Sequence, residues 1–429
     1  MKIAFLTLGC KLNYAETSTY ERGFQENGLE TVPWDSQADV YLINTCSVTK
    51  HSEGKCRNII RKCHRTSPKA SIVVTGCYAE LQREEISAIE GVKLVFGAKE
   101  KSKVVHDTLR MLNGESLDED KAYKALSLAK EYKEISKDTL AAFSSGERTR
   151  SFLKVQDGCN NFCAYCTIPY ARGESRNIPI CELVKQAGVI AQSGIKEIVL
   201  TGVNTGDFGR SSGESFLDLL KALEEVDGIE RYRISSIEPN LITEEIVEWL
   251  SSSSKFQPHF HIPLQTGNDT LLSKVGRKYT TSFFAERIKY IRSVFEAKGK
   301  PPVFFGIDVI VGLPGETDAM FEETYNFLAN VVKPAYIHIF PYSQRPGTRA
   351  ASMPEQVKES IKTDRVKRLE ALCEDLHKAF IEANKGLKGK VLWETSEKGG
   401  KMFGYTGNYI RVEGSFDQTK TGTIEEVII

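Results

Sequence analysis

FLKVQDGCNNFCAYC, residues 152–166, reads as a short apolar strand running into a glycine turn and a loop with Cys159, Cys163 and Cys166 spaced C-x3-C-x2-C. The strand is the first of a series. EIVLTG (197–202), RYRISS (231–236), HFHIPL (259–264), FFGIDVIVG (304–312) and AYIHIFPYS (335–343) follow at helix-sized intervals, each ending in a polar or glycine-rich loop. Six strand–helix repeats predict a parallel sheet curled into a partial barrel, with functional residues in the loops after the strands. Three thiolates on one such loop can hold three irons of a cubane 4Fe–4S cluster and leave the fourth iron open. A structural zinc site closes its tetrahedron with four protein ligands, and no nearby Cys or His completes one here.

Upstream, Ile3 to Leu8, Val40 to Ile43, Ile72 to Thr75 and Leu94 to Phe96 alternate with polar helical stretches such as Glu16 to Gln25, closed by Gly28. This predicts a doubly wound α/β domain over residues 1–112. Cys10 in LGCKLN, Cys46 in NTCSV and Cys77 in TGCYA each follow one of its first three strands. The fold would gather them at one sheet edge, where open α/β folds bind ligands. A single cysteine there would read as a small buried hydrophobe. Three at equivalent positions point to a second cluster with one open iron. Cys56, Cys63, Cys181 and Cys373 fall in predicted helices and read as structural.

Residues 113–146 lose the strand pattern and lead into SSGERTR, a connector with a boundary near 147. The barrel occupies 147–384, ending in a long charged helix from about Glu355 to Asn384. In 385–429, KGKVLWE, FGYTGNYIRVEG and KTGTIEEVII read as strands of a small all-β barrel or sandwich. The whole is an α/β multidomain chain. Its 57 basic and 57 acidic side chains cancel, so a nucleic-acid partner must be held by local patches. No apolar run is long enough to span a bilayer and the amino terminus lacks a signal-peptide pattern. A cytoplasmic protein is expected, with its ten cysteines serving metal or thiol chemistry and no disulfide framework.

The barrel loops carry Gly202, Asn204, Ser235, Glu238, Gln265 and Arg277. Glycines permit close approach, and the polar side chains suit the ribose, amino and carboxylate groups of a ligand. His259 and His261 alternate on one strand; neighbouring imidazoles there are more often hydrogen-bonded core groups, and they are left unassigned as ligands. KCRNIIRKCHR sets Lys55, Arg57, Arg61, Lys62 and Arg65 on a helix after Cys46, either a solvated charged face or a phosphate-backbone contact. In the tail, Lys401 and Arg411 accompany Trp393, Phe403, Tyr405 and Tyr409, a set that can stack bases and track phosphates, although some of these aromatics must fill the core.

C-x3-C-x2-C before a six-repeat barrel, with Tyr165 preceding the third cysteine, resembles the radical S-adenosylmethionine (SAM) superfamily. The amino-terminal cysteine pattern resembles the methylthiotransferases of that superfamily, and the tail resembles a TRAM domain, so the resemblance covers the whole chain. TLGCKLNYAET is similar to the branch acting on N6-threonylcarbamoyladenosine in tRNA; the isopentenyladenosine and ribosomal-protein branches usually carry GCQMN or GCPKN there. The resemblance implies two 4Fe–4S clusters and SAM, held by Cys10, Cys46, Cys77, Cys159, Cys163 and Cys166 and the loop residues above, with no catalytic residue beyond the cluster ligands. It implies methylthio transfer to adenine carbon 2 in the tRNA anticodon stem-loop, after SAM cleavage to a 5′-deoxyadenosyl radical driven by an external electron donor. Neither a membrane nor DNA is expected as a partner. The alternatives are methylthiolation of isopentenyladenosine or of a ribosomal protein, or a cluster-bearing RNA-binding regulator without turnover.

Overall fold

The computed structural model describes residues 1–115, 139–145 and 149–429. Most of the connector expected at 113–146, and the boundary near 147, lie outside the described residues. The amino-terminal sheet has five parallel strands, β1 (Lys2–Thr7), β2 (Glu30–Val32), β3 (Val40–Thr45), β4 (Ser71–Gly76) and β5 (Val92–Phe96), in the order β2-β1-β3-β4-β5. The short edge strand β2 was not anticipated from sequence; it has too few apolar residues to register as a run. Period-2 alternation supplies two cores. Ala4, Tyr41, Ile43, Ile72 and Val74 pack with Cys56, Ile60 and Cys63 of helix Lys50–Thr66, while Ile3, Val40, Leu42 and Val73 pack with Tyr20 and Phe24 of helix Lys11–Glu26.

The second unit has six parallel strands, β6 (Arg150–Lys154), β9 (Glu197–Thr201), β10 (Arg231–Ile234), β11 (His259–Gln265), β12 (Phe304–Val311) and β13 (Tyr336–Pro341), with β7 (Gln156–Asp157) and β8 (Arg176–Asn177) forming a small ribbon beside the cysteine loop. They make two three-stranded sheets, linked where Tyr232 bridges Phe256 and Ser236 bridges His261. Helices cover the outside, several started by a Ser, Thr or Asn side chain that accepts a backbone N–H, as Ser215, Thr243, Asn268, Thr280 and Thr317 do. The expected six-repeat partial barrel is present. On the side of its first strand, helix Lys11–Glu26 packs against β6, Tyr14 meeting Phe152 edge to face.

The tail is a four-stranded antiparallel sheet, β14 (Lys388–Lys398), β15 (Lys401–Thr406), β16 (Arg411–Ser415) and β17 (Ile424–Ile428). FGYTGNYIRVEG, read from sequence as one stretch, is a hairpin that turns at Gly407–Ile410. The sheet plugs the amino-terminal end of the barrel, opposite the cysteine loop: Arg231 donates to the Tyr405 carbonyl at 3.1 Å and Arg233 to those of Thr406 and Gly407 at 2.8 and 2.6 Å. No helix among the described residues is long and apolar enough to cross a membrane.

The first two units are fastened by buried charge. Glu16 accepts from Lys101 and Lys154 at 2.9 Å each and from Arg172 at 3.2 Å; Asp157 pairs with Lys154 at 2.7 Å and Arg172 at 2.9 Å. All five side chains are buried. Burial alone would raise the Glu16 carboxyl, but Lys101, Lys154 and Arg172 override it and hold the group well below the usual carboxylate range. Because the folded value is depressed, its stabilisation is fully present above about pH 4.5, the ordinary value, and is lost as pH falls below it. Glu16→Gln should destabilise the folded chain by about 3–5 kcal/mol at neutral pH, since it strands buried cations. In denaturant titrations the difference from wild type should narrow between about pH 5 and about pH 3. A pH-independent difference would refute this account of Glu16.

Candidate functional site

Cys10 is the N-cap of helix Lys11–Glu26 after β1, Cys46 follows β3, and Cys77 opens helix Cys77–Leu81 after β4. These three strands are adjacent, and the β1/β3 boundary is where the strand order reverses, the place where doubly wound sheets bind ligands. Two glycines let the loops converge. A Cβ on Gly9, at φ +111°, would lie 2.9 Å from the Cys46 Cβ, and one on Gly76, at φ +104°, would lie 2.4 Å from the Thr45 carbonyl. Asn13 donates to the Leu8 and Thr45 carbonyls, tying the first two loops together, and its Oδ1 is 3.8 Å from the Cys10 thiol.

Cys159, Cys163 and Cys166 lie on the loop between β7 and helix Ile168–Arg172. Backbone N–H groups of Asn161 and Ile168 donate to Cys159 Sγ at 3.5 Å and to Cys166 Sγ at 3.4 Å, and Arg277 donates to Cys163 Sγ at 3.3 Å. Burial pushes the thiols of Cys46 and Cys166 up to about 12 and that of Cys159 up to about 11. Without a cation such thiols stay protonated, whereas metal ligation deprotonates them outright. Cys10 is exposed, whereas the other cysteines of the two trios are buried or half-buried; each trio is a set of soft thiol donors of the kind that iron–sulfur clusters use.

Arg172 spans the distance between the trios. It closes the helix that begins two residues after Cys166, and its guanidinium donates to Asn13 Oδ1, Glu16 and Asp157. Burial would lower Arg172; Cys77, Asp157, Glu16 and Cys10 override it and hold the group well above its ordinary range. Further out, Thr167 Oγ1 donates to the Ser47 carbonyl at 3.5 Å, and Arg345 is paired with Glu53 and donates to Ser47 Oγ at 2.8 Å. Sequence reasoning passed over Arg172, Asn13, Glu53 and Arg345. Asn13 lies within GCKLN, the motif that carries Cys10.

The loop residues singled out from sequence do not gather at one place. Tyr165 and Gln265 line one cavity with Cys166, Asp308, Phe340 and Tyr342, and its opposite wall is Val48 and Thr49 of the amino-terminal domain. Gln265 adopts a left-handed φ of 75° at the end of β11. Glu238, Arg277 and Asn204 form a web on the barrel rim: Glu238 pairs with Arg277 at 2.9 Å, accepts from Asn161 at 2.8 Å, and its N–H donates to Asn204 at 3.2 Å. Ser235 has a buried hydroxyl with no hydrogen-bond partner among the described residues, an opening for a polar ligand. Gly202 does something else: it packs against Gln156, whose Oε1 accepts the N–H groups of Val203 and Asn204.

Lys55, Arg61, Lys62 and Arg65 are exposed on helix Lys50–Thr66, with Lys62 over the Trp34 ring at 4.4 Å, whereas Arg57 is engaged with the Tyr78 hydroxyl and Glu85. In the tail, Lys401 pairs with Glu413 and Arg411 covers Phe403 at 3.8 Å. Trp393 lies in the sheet core, and Tyr409 packs against His259 and Phe304 of the barrel and against Tyr405, so these three rings are spent on packing. Of the remaining cysteines, Cys56, Cys63 and Cys373 are buried, and the Cys56 thiol donates to the Cys46 carbonyl at 3.7 Å; Cys181, read as structural, is instead exposed. His261, Asp308 and His338 converge inside the barrel, His261 Nε2 lying 2.6 Å from Asp308.

A family model described as the radical SAM superfamily matches residues 153–328, and one described as uncharacterized protein family UPF0004 matches residues 2–97. The structure of the radical SAM methyltransferase TsrM from Kitasatospora setae, with tryptophan and a SAM analogue, superposes with a TM-score of 0.60 at 14% identity, covering 82% of this chain and 75% of that one, a likeness of fold. The threonylcarbamoyladenosine tRNA methylthiotransferase MtaB of Bacillus subtilis is 41% identical over 441 residues, covering 100% of this chain and 93% of that protein. The protein of the same name from Aquifex aeolicus is 38% identical, covering 91% and 92%. With its whole length aligned at that identity, the chain belongs to the family of threonylcarbamoyladenosine tRNA methylthiotransferases.

Proposed function

We propose that the protein transfers a methylthio group to carbon 2 of N6-threonylcarbamoyladenosine next to the anticodon of tRNA, in the cytoplasm, with electrons from an external donor. It is a radical SAM transferase that uses two 4Fe–4S clusters and SAM. In this reading Cys159, Cys163 and Cys166 hold one cluster, Cys10, Cys46 and Cys77 hold the other, and the working parts are residues 1–112, 147–384 and 385–429. The observation that carries the reading is the cavity with walls from both domains, Val48 and Thr49 just after Cys46 on one side and Tyr165 to Ile168 around Cys166 on the other.

A cluster held by Cys159, Cys163 and Cys166 would supply the electron that cleaves SAM to the radical, and the sulfur to be methylated would be associated with a cluster held by Cys10, Cys46 and Cys77. The chain's own residues organise the encounter. Arg277 donates to the Cys163 sulfur and holds it in place, while Glu238 fixes the guanidinium. The free hydroxyl of Ser235, with Gln265 and Asn204, suits the polar groups of SAM. Val48, Ile310 and Phe340 give the cavity apolar walls that exclude water. Arg172 keeps the two cysteine loops at a fixed separation through Asn13 and Asp157.

At the mouth, Val48 and Phe340 of the cavity lining are left exposed, as are Phe162 on the cysteine loop and Tyr170 on the helix that follows it, and Phe162 meets Tyr170 edge to face at 5.8 Å. Exposed aromatics beside a cavity suit the unpaired bases of an anticodon loop. The basic helix leads away from this mouth: Thr49 lines the cavity and Arg61 lies about 18 Å further along the axis. In this reading it follows the phosphate backbone of the anticodon arm.

Replacing Cys159, Cys163 and Cys166 together with Ala should halve the iron of anaerobically reconstituted protein, and so should replacing Cys10, Cys46 and Cys77. The second variant should still cleave SAM without methylthiolating tRNA. Full iron retention in either variant would overturn the ligand assignment. Mass spectrometry of anticodon-loop nucleosides from a deletion strain tests the substrate: loss of the methylthio form of threonylcarbamoyladenosine is expected, and its persistence would defeat the reading.

For RNA, the two surfaces should respond differently to salt. Arg61→Glu, Lys62→Glu and Arg65→Glu in one chain should weaken stem-loop binding and flatten its dependence on salt, by a slope of about one per lost contact. Phe162→Ala with Tyr170→Ala should weaken binding about tenfold, the scale of lost base stacking, at every salt concentration. Unchanged affinity in the first variant would remove the basic helix from the interface, and in the second the aromatic rim.

A further inference from the structure

A second cavity opens inside the barrel, near the end plugged by the tail sheet. Its lining includes Lys11, Arg150, Arg233, His259, Glu394 and Tyr409. Two of its three fixed cations are already neutralised. Arg150 pairs with Glu394 and donates to the Tyr409 hydroxyl at 2.7 Å. Arg233 donates to Glu197 at 2.8 Å and to two backbone carbonyls of the tail. Lys11, the first residue of the helix that packs against β6, has no hydrogen bond or ion pair among the described residues.

The cavity is thus left with one unmatched positive charge. It is connected to the chemistry by the inner face of the barrel. His259 and His261 share one face of β11; past the register shift between Pro263 and Gln265, Gln265 lines the cavity beside Cys166, while His259 lines the cavity of Lys11. Between them lie Asp308, 2.6 Å from His261, and His338, whose ring centroid is 4.8 Å from that of His261. From Asp308, in register with Pro263, to His259 is about 13 Å of strand rise. A base seated beside Cys166 would direct an extended substituent along this polar row toward Lys11.

We propose that Lys11 is the anion-binding end of the substrate pocket and takes the carboxylate that a threonylcarbamoyl group presents on N6 of the adenine. The inference rests on the substrate reading above and adds the residue that makes the pocket prefer an acid over a neutral group. Lys11 is exposed to this cavity, and the backbone phosphates of a stem-loop, common to both ligands of the test below, cannot produce a preference for one of them. The carboxylate of SAM has the same chemistry, so the test separates the two sources.

The experiment uses the full-length, cluster-reconstituted protein and two anticodon stem-loops, one with threonylcarbamoyladenosine and one with its carboxylate capped as a methyl amide. Wild type should bind the acid about tenfold more tightly than the amide, the scale of one charge-assisted hydrogen bond. Lys11→Met should abolish that difference by weakening the acid alone, and Lys11→Arg should restore it. Iron content and SAM affinity should match wild type in both variants. Equal wild-type affinity for the two stem-loops, an equal loss for both in Lys11→Met, or a loss of SAM affinity would each overturn the proposal. If wild type methylthiolates neither stem-loop, the substrate reading itself fails; methylthiolation of the acid without discrimination defeats Lys11 alone.

Discussion

Glu16 is sealed between two domains, and a carboxylate taken out of water must be matched by nearby cations or it protonates. Lys101 of its own domain is one match, and Lys154 and Arg172 of the barrel are the others. The arrangement therefore exists only when the domains are docked. Asp157 repeats the logic from the barrel side, holding Lys154 and Arg172 in place with Arg176 behind them. Hydrophobic contact alone would let two such surfaces slide; a cluster of buried charges with few acceptable geometries fixes their register.

That register decides where the two cysteine trios lie. Glu16 is on the helix that Cys10 caps, Asp157 is two residues before Cys159, and Arg172 ends the helix after Cys166. A shift at the charge cluster would move both cysteine loops together with the cavity between them. Both trios sit at carboxyl ends of parallel strands, where each sheet leaves loops free to converge, so the two sheets present their reactive edges to one another across a common space.

What could be read from the sequence was what is encoded locally. C-x3-C-x2-C lies within a single loop, and Cys10, Cys46 and Cys77 each follow a strand that its own apolar run betrays. The six barrel strands were legible for the same reason. The pairing of Arg172 with Glu16 spans 156 residues, and no spacing rule connects ARGES to YAETS. The destination of Lys11 was hidden too, because it depends on which side of the barrel the first domain docks. In the tail, Tyr405 and Tyr409 looked like base-stacking rings by composition; docking against the barrel gives them other work, and Tyr409 stands at the corner of a hairpin with φ 65°.

The tail is attached in a way that has an evolutionary consequence. Arg231 and Arg233 grip it through four bonds to backbone carbonyls, those of Lys390, Tyr405, Thr406 and Gly407. A carbonyl is supplied by every amino acid, so most side chains on the outward face of that sheet are free to drift without loosening the joint. The outer surface of the module can thus be rewritten, lineage by lineage, while the barrel keeps the same grip on its main chain.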